Sequence, residues 1–122
     1  MRKATLALTM LAAICLAVPA LAGGIEGTYS VAGSNPGGKG AYKGTVVISK
    51  SGETYKLVWS VGTAYIGTGI KTGNVLSVAY TDEARKWFGI VSYKIKSGGK
   101  VLEGQWCAHT AHKLGKETLT KK

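Results

Sequence analysis

The chain has 122 residues, and its 16 lysines and arginines against six acidic residues give a formal charge of +10. This length suits one domain with a single compact core. Two cysteines in the whole chain exclude a small domain held together by several disulfides.

The first 22 residues have the pattern of a signal peptide. Arg2 and Lys3 precede an apolar run over residues 4–18, and Ala20 and Ala22 supply small side chains before a cleavage site. The run is shorter than the ~20 residues of a membrane-spanning helix, and no later segment resembles one. We therefore predict a signal peptide over 1–22, a domain over 23–122 exported to the periplasm or the exterior, and no transmembrane segment. The mature chain would keep 14 basic residues against six acids and one cysteine, Cys107.

After residue 22, short runs of β-branched and aromatic residues alternate with breaks that contain glycine, as in β-hairpins. Breaks such as Ser51-Gly52 and Gly62-Thr63 favour tight antiparallel connections. The pattern predicts eight strands: Gly27–Val31, Tyr42–Lys50, Thr54–Val61, Ala64–Lys71, Val75–Thr81, Trp87–Lys96, Val101–Ala108 and Lys116–Thr120.

Within these runs the side chains alternate with a period of two. Leu57 and Tyr93 fall on an apolar face, whereas Lys56 and Lys94 fall on a polar one, which indicates antiparallel sheet with one face in water. No amphipathic helix is present to cover the apolar face, so the strands must cover it themselves. We predict an all-β fold, an eight-stranded antiparallel up-and-down (meander) barrel in a single domain. A two-sheet sandwich with the same meander is the alternative.

Aromatic side chains dominate the predicted interior and are the candidate ligand-binding residues. An eight-stranded barrel is either filled by its side chains or holds one small ligand, so these rings are either packed core or the walls of a pocket. Inward glycines leave room for a ligand on one interpretation and permit barrel bends on the other; they are Gly44, Gly67, Gly69, Gly89 and Gly104. The seven aromatic candidates are Tyr29, Tyr42, Tyr55, Trp59, Tyr80, Tyr93 and Trp106.

Other chemistry-bearing residues give weaker signals. Cys107, His109 and His112 form the one metal-capable cluster, but a single Cys-x-His-x-x-His segment does not easily bring three donors around one ion, so we predict no metal and no cofactor. No catalytic motif is present, and we predict that the protein is not an enzyme.

The lysines allow two interpretations of the outer surface. The outward strand lysines, with the terminal pair, either form a patch for a polyanion or keep the strands soluble. Export makes nucleic acid an unfavoured partner. These lysines are Lys43, Lys56, Lys94, Lys96, Lys121 and Lys122.

The Gly27-Thr28-Tyr29 opening and the final segment from Gly115 to Lys121 resemble the avidin-like and lipocalin-like small barrels, the calycins. In those families a Gly-x-Trp opening packs near a basic residue of the last strand and closes one end; here Tyr29 stands where the tryptophan would be. The chain is also similar to uncharacterised bacterial secreted proteins sometimes labelled fibronectin-binding, in runs such as Gly67-Thr68-Gly69.

Two functions follow as expectations. The first is a non-enzymatic barrel that holds a small apolar or aromatic ligand in its lumen, or an anionic partner on its basic face. The alternative is a protein-interaction module, of an adhesion, fibronectin-binding-like or inhibitor type, that uses the barrel as a scaffold.

Overall fold

A computed structural model describes residues 24–122, so the predicted signal peptide lies outside the described residues. The described chain forms eight strands and two short 3-10 turns. The strands are β1 Gly27–Ser34, β2 Ala41–Ser51, β3 Thr54–Ser60, β4 Ala64–Thr72, β5 Val75–Asp82, β6 Phe88–Lys96, β7 Val101–Ala108 and β8 Gly115–Lys121. Residues 24–122 contain no helix with the length and hydropathy of a membrane span.

The strands form a closed barrel in which each strand pairs with its neighbours in the chain. All pairs are antiparallel, and β1 pairs with β8 from Tyr29 opposite Lys121 to Ser34 opposite Lys116. Closure leaves no unpaired strand edge, which is the reason such a sheet does not recruit other chains by edge pairing. The predicted up-and-down barrel is confirmed, and the sandwich alternative is wrong. An eight-stranded barrel of this kind fits a calycin-like fold.

The predicted division between interior and exterior is also confirmed. Leu57 and Tyr93 are fully buried, while Lys56 and Lys94 are exposed on the outer face. Each large apolar side chain moved from water to the core contributes about 1.5–3 kcal/mol. The fully buried aliphatic core is formed by Ile25, Val46, Ile48, Leu57, Leu76, Leu102 and Leu119.

The two ends of the barrel differ because hairpin connections alternate between them. One end has short connections, at residues 52–53, 73–74 and 97–100. The other end has connections of six, three, five and six residues, here called the mouth loops: residues 35–40, 61–63, 83–87 and 109–114. Three of the four mouth loops are longer than any connection at the first end, so the first end is the one with less room for an opening.

Tyr29 closes that end. Its ring is fully buried, and its hydroxyl lies 2.8 Å from the carbonyl oxygen of Ile25 and 2.7 Å from that of Gly99. Lys121, at the end of β8, places its Nζ 5.6 Å from the centroid of the Tyr29 ring and donates to the carbonyl of Gly24 at 2.9 Å. The packing of the opening motif against a basic residue of the last strand, which the calycin resemblance implies, is therefore present with tyrosine in place of tryptophan.

Replacing Tyr29 with phenylalanine tests this closure. The change keeps the ring over Lys121 but leaves two buried carbonyls without their shared donor, so we expect the free energy of unfolding to fall by about 1–2 kcal/mol. Tyr55→Phe is the matched control, because the structure shows no hydrogen bond from the Tyr55 hydroxyl within the described residues. Urea unfolding of both variants measures the difference, and equal losses would contradict the assigned role of the Tyr29 hydroxyl.

Candidate ligand-binding site

A cavity of about 280 Å³ opens between the mouth loops and extends into the lumen. Its volume is close to the lower limit of the ~300–1,000 Å³ that small-molecule pockets occupy, so it has room for one small ligand. Five of the ten lining residues are aromatic, and one carboxylate lies among them. The lining residues are Asn35, Tyr42, Trp59, Val61, Thr63, Tyr65, Tyr80, Val91, Trp106 and Glu117.

Glu117 is the carboxylate in this wall, and it is only 7% exposed. It points inward because β8 alternates with a period of two, so that Gly115, Glu117 and Leu119 are buried while the residues between them are exposed. Burial of a carboxylate costs several kcal/mol unless hydrogen bonds or a counter-charge compensate for the lost water. Glu117 is therefore the interior residue whose burial costs the most free energy unless hydrogen-bond donors lie close to it.

Three neutral donors compensate for this burial. The Tyr42 hydroxyl donates to Oε1 of Glu117 at 2.7 Å. The Trp59 indole nitrogen donates to Oε2 at 3.1 Å, and the Tyr93 hydroxyl donates to the same oxygen. Because these donors come from β2, β3 and β6, the carboxylate of β8 is connected to three other strands of the barrel.

Two glycines make the tyrosine contacts possible. In strand register, Glu117 lies opposite Gly33 of β1 on one side and Gly104 of β7 on the other. On its other side, Gly33 pairs with Tyr42 of β2, and Gly104 likewise pairs with Tyr93 of β6. With no side chain between them, each tyrosine ring lies across a glycine and reaches the carboxylate two strands away.

The space above these glycines is fully used. A Cβ at Gly104 would lie 2.6 Å from the Tyr93 ring, and a Cβ at Gly33 would overlap the Tyr42 ring. Trp106 likewise lies across Gly115, where a Cβ would come within 2.5 Å of its ring. Tyr80 lies across Gly89. Of the five glycines predicted to face inward, Gly67, Gly89 and Gly104 thus lie against aromatic rings of the chain itself, rather than leaving room for a ligand. Gly44 and Gly69 lie instead against backbone and aliphatic side chains of the neighbouring strands.

The rings around the cavity pack edge to face. Tyr80 meets Trp59, Tyr65 and Trp106 with centroid distances of 6.2, 5.8 and 6.4 Å and interplanar angles of 68°, 89° and 78°. Tyr42 meets Trp106 in the same way at 6.3 Å. The T-shaped arrangement is the one that aromatic quadrupoles prefer, and it holds the cavity wall in one conformation.

Trp106 carries an unused hydrogen-bond donor. Its Nε1 is buried and has no partner within the described residues. Nearly all buried donors in folded proteins are paired with protein or water. The indole nitrogen lies over Gly115 and beside the Tyr42 side chain, in a part of the wall that solvent does not reach.

Burial keeps several tyrosines of the interior protonated. Desolvation, and next the nearby Glu117 charge, raise the pKa of Tyr42 and hold the pKa of Tyr93 well above its usual value of 10.0. Desolvation, with the neighbouring Tyr65, raises the pKa of Tyr80 to about 12. At neutral pH the phenol groups are hydrogen-bond donors rather than anions, which is the state that Glu117 requires.

The seven aromatic candidates separate into three groups. Tyr42, Trp59, Tyr80 and Trp106 line the cavity. Tyr93 lies beneath it and contacts Glu117. Tyr29 and Tyr55 lie outside the cavity: Tyr29 closes the opposite end, and the Tyr55 ring lies beside Lys50, 5.7 Å from its Nζ.

Six residues of the wall are absent from the sequence-based candidates: Asn35, Val61, Thr63, Tyr65, Val91 and Glu117. Tyr65 and Glu117 are the two of these that carry an aromatic ring or a carboxylate. Tyr65 is in phase with the inward Gly67 and Gly69, and Glu117 is in phase with the inward Leu119. Alternation alone therefore contained a signal for both. To predict that Glu117 points inward, one must also accept a buried acidic side chain, and such side chains are rarely buried without polar partners. The partners of Glu117 come from distant strands, so only the strand register reveals them.

The outward lysines do not share one surface. Lys43 and Lys56 lie on β2 and β3, whereas Lys94 and Lys96 lie on β6, four strands away from β2 around the barrel. Lys96 is paired with Glu103 at 2.7 Å, and Lys121 is engaged at the closed end. No continuous basic patch is formed by these strand positions.

The cysteine and histidine segment is dispersed in the same way. Cys107 is half-buried on β7, and His109 stacks on Phe88 with a centroid distance of 4.3 Å. In residues 24–122 no group of three histidine, cysteine, aspartate or glutamate side chains is placed to hold a metal ion.

Comparison with known proteins supports the barrel fold and nothing further. No protein-family model matches the sequence, and no curated protein matches it. Among solved structures, the chain is similar to a de novo designed fluorescence-activating β-barrel, with a TM-score of 0.61 and 11% sequence identity. The similarity covers 80% of this chain and 93% of the designed chain.

The raised tyrosine pKa values predict a loss of stability in alkali. The folded protein holds these phenolic protons more tightly than the unfolded chain does, so their contribution is complete below pH ~10 and is lost as the pH rises through about 12. We expect the free energy of unfolding, measured with urea across this range, to fall with pH. Tyr80→Phe removes one such group and should make the decline shallower; an unchanged decline would contradict the assignment.

Proposed function

We propose that this chain is an exported, non-enzymatic binding protein that holds one small apolar or aromatic ligand in the open end of its barrel. The observation that carries the proposal is the 280 Å³ cavity, whose aromatic walls surround a buried carboxylate. Concave, mostly apolar surfaces with a few fixed polar groups are typical of small-molecule sites. The similar designed barrel is fluorescence-activating, which is consistent with a binding scaffold.

The polar groups of the site favour binding over catalysis. Glu117 accepts three hydrogen bonds, and two of its donors are phenols whose pKa values are raised. A general acid or base at neutral pH works best with a pKa near the operating pH, and these phenols are shifted away from it. The network therefore suits a fixed recognition surface rather than proton transfer.

Export is the second part of the proposal, and it rests on the signal-peptide pattern of residues 1–22. An exported binding protein meets ligands that are present outside the cytoplasm. The cavity opens at the mouth loops, so the ligand would enter from solvent along the barrel axis.

Blocking the mouth tests ligand binding. Thr63 lines the mouth, and Thr63→Trp would place a large side chain there; Thr72→Trp makes the same change at the closed end. With 2-phenylethanol as the probe in isothermal titration calorimetry, we expect Thr63→Trp to weaken binding about tenfold and Thr72→Trp to leave it unchanged. Native mass spectrometry of protein from its own host should likewise show a retained mass that Thr63→Trp lacks. Equal binding by both variants would contradict a site in the cavity.

A second candidate function, the protein-interaction module, is favoured by one observation on the outer wall. Large apolar side chains are exposed on β4 and β6, among them Ile70 at 59% and Ile90 at 63%. Phe88 on β6 and Leu114 in a mouth loop extend this surface. Exposed apolar surface of this kind marks protein-interaction sites when it is contiguous.

Immobilised fibronectin tests this second function. Ile90→Lys would place a charge in the middle of the apolar wall and should abolish retention, whereas Ser92→Lys, one outward position along β6, adds the same charge without removing an apolar side chain. Surface plasmon resonance measures both variants. Retention that both variants reduce equally, or no retention of the original protein, would contradict an interaction through this wall.

A further inference from the structure

The charge of Glu117 has no counter-charge in the part of the chain that the structure describes. No lysine, arginine or histidine nitrogen of residues 24–122 lies within the 4 Å of an ion pair, and the Lys96–Glu103 pair is on the outer surface. All three of its hydrogen-bond donors are neutral groups. Buried carboxylates are normally paired with a cation, so Glu117 in its ionised form gives this site a negative charge with no positive partner.

The carboxylate also has hydrogen-bonding capacity left. An ionised carboxylate offers about four lone-pair positions, and Tyr42, Trp59 and Tyr93 use three of them. Glu117 is part of the cavity wall, so the remaining position is available to a ligand that enters the mouth. A donor that also carries positive charge makes the strongest bond there.

The rings that surround Glu117 favour the same kind of ligand. Aromatic faces attract cations through their quadrupole, most strongly when water is excluded. Trp59, Tyr80 and Trp106 form the wall next to the carboxylate, and their edge-to-face packing fixes their orientation. An anionic head group would meet the Glu117 charge without compensation, and a neutral one would leave that charge unpaired.

From this geometry we infer that the ligand is a small organic ammonium ion with an apolar or aromatic body, whose nitrogen lies against Glu117 and whose body packs on the aromatic wall. The inference rests on the proposed function, since it names the class of ligand for the same cavity.

The basic exterior does not oppose this assignment. The lysines of the outer wall and of the mouth loops are exposed. Salt screens exposed charges over a Debye length of about 8 Å at physiological ionic strength, whereas a buried charge is screened much less. The outer charges therefore affect the rate at which a cation approaches more than they affect its affinity once bound beside Glu117.

Three probes of matched shape test the inference by isothermal titration calorimetry of the purified protein: 2-phenylethylammonium, 2-phenylethanol and phenylacetate. We expect the ammonium ion to bind at least about tenfold more tightly than the alcohol, and phenylacetate to bind most weakly. Equal affinities for the ammonium ion and the alcohol would overturn the cation assignment and leave the proposed function standing. Failure of all three probes to bind would count against both.

A pair of variants locates the preference. Glu117→Gln keeps the shape and an acceptor but removes the charge, so the ammonium ion should lose about tenfold in affinity while the alcohol changes by less than about twofold. Glu103→Gln removes the same charge from a side chain that is 52% exposed on β7 and should change neither. If Glu117→Gln folds, as judged by circular dichroism, and keeps the preference for the ammonium ion, the inference is wrong. If it does not fold, the three-probe comparison with the original protein decides alone.

Discussion

A carboxylate inside a small β-barrel needs hydrogen-bond donors close to it, and much of the interior of this protein is arranged around that requirement. Glu117 accepts from Tyr42, Trp59 and Tyr93, which belong to three different strands. Loss of any one donor would leave part of a buried charge without compensation, at a cost of about 1–3 kcal/mol. The same network holds the rings that form the wall of the cavity, so the stability of the barrel and the shape of the site depend on one set of contacts.

The glycines opposite Glu117 explain how the barrel accommodates so many rings. Gly33 and Gly104 flank the carboxylate in register, and each is covered by a tyrosine from the strand beyond it. Trp106 covers Gly115 in the same way. A side chain at these positions would push the rings away from the carboxylate or into the cavity. Large side chains thus alternate with glycines along this part of the wall. This arrangement lets an eight-stranded barrel, whose lumen is narrow, keep a packed interior at the closed end and an open cavity at the mouth loops.

The polar and aromatic groups of the candidate site lie at one end of the barrel for a topological reason. In an up-and-down barrel, successive connections alternate between ends, and here the connections of two, two and four residues fall at the end that Ile25, Tyr29 and Lys121 close. The mouth loops, three of which are longer, fall at the other end, where they leave the lumen accessible. The closed end therefore contributes stability, and the open end carries the groups of the candidate site.

Local patterns in the sequence determined the eight strands, their direction and the inward position of residues such as Leu57, Trp59 and Tyr93, because a period of two depends only on neighbouring residues. The calycin-like opening also indicated the contact between Tyr29 and the last strand. Tertiary structure alone decided which rings share a site, and it separated Tyr29 and Tyr55 from the cavity. It also brought Tyr42 to Glu117 across 75 residues of sequence. The physical reason is strand register: the pairing of Glu117 with two glycines depends on how distant strands align, and no local pattern specifies that alignment.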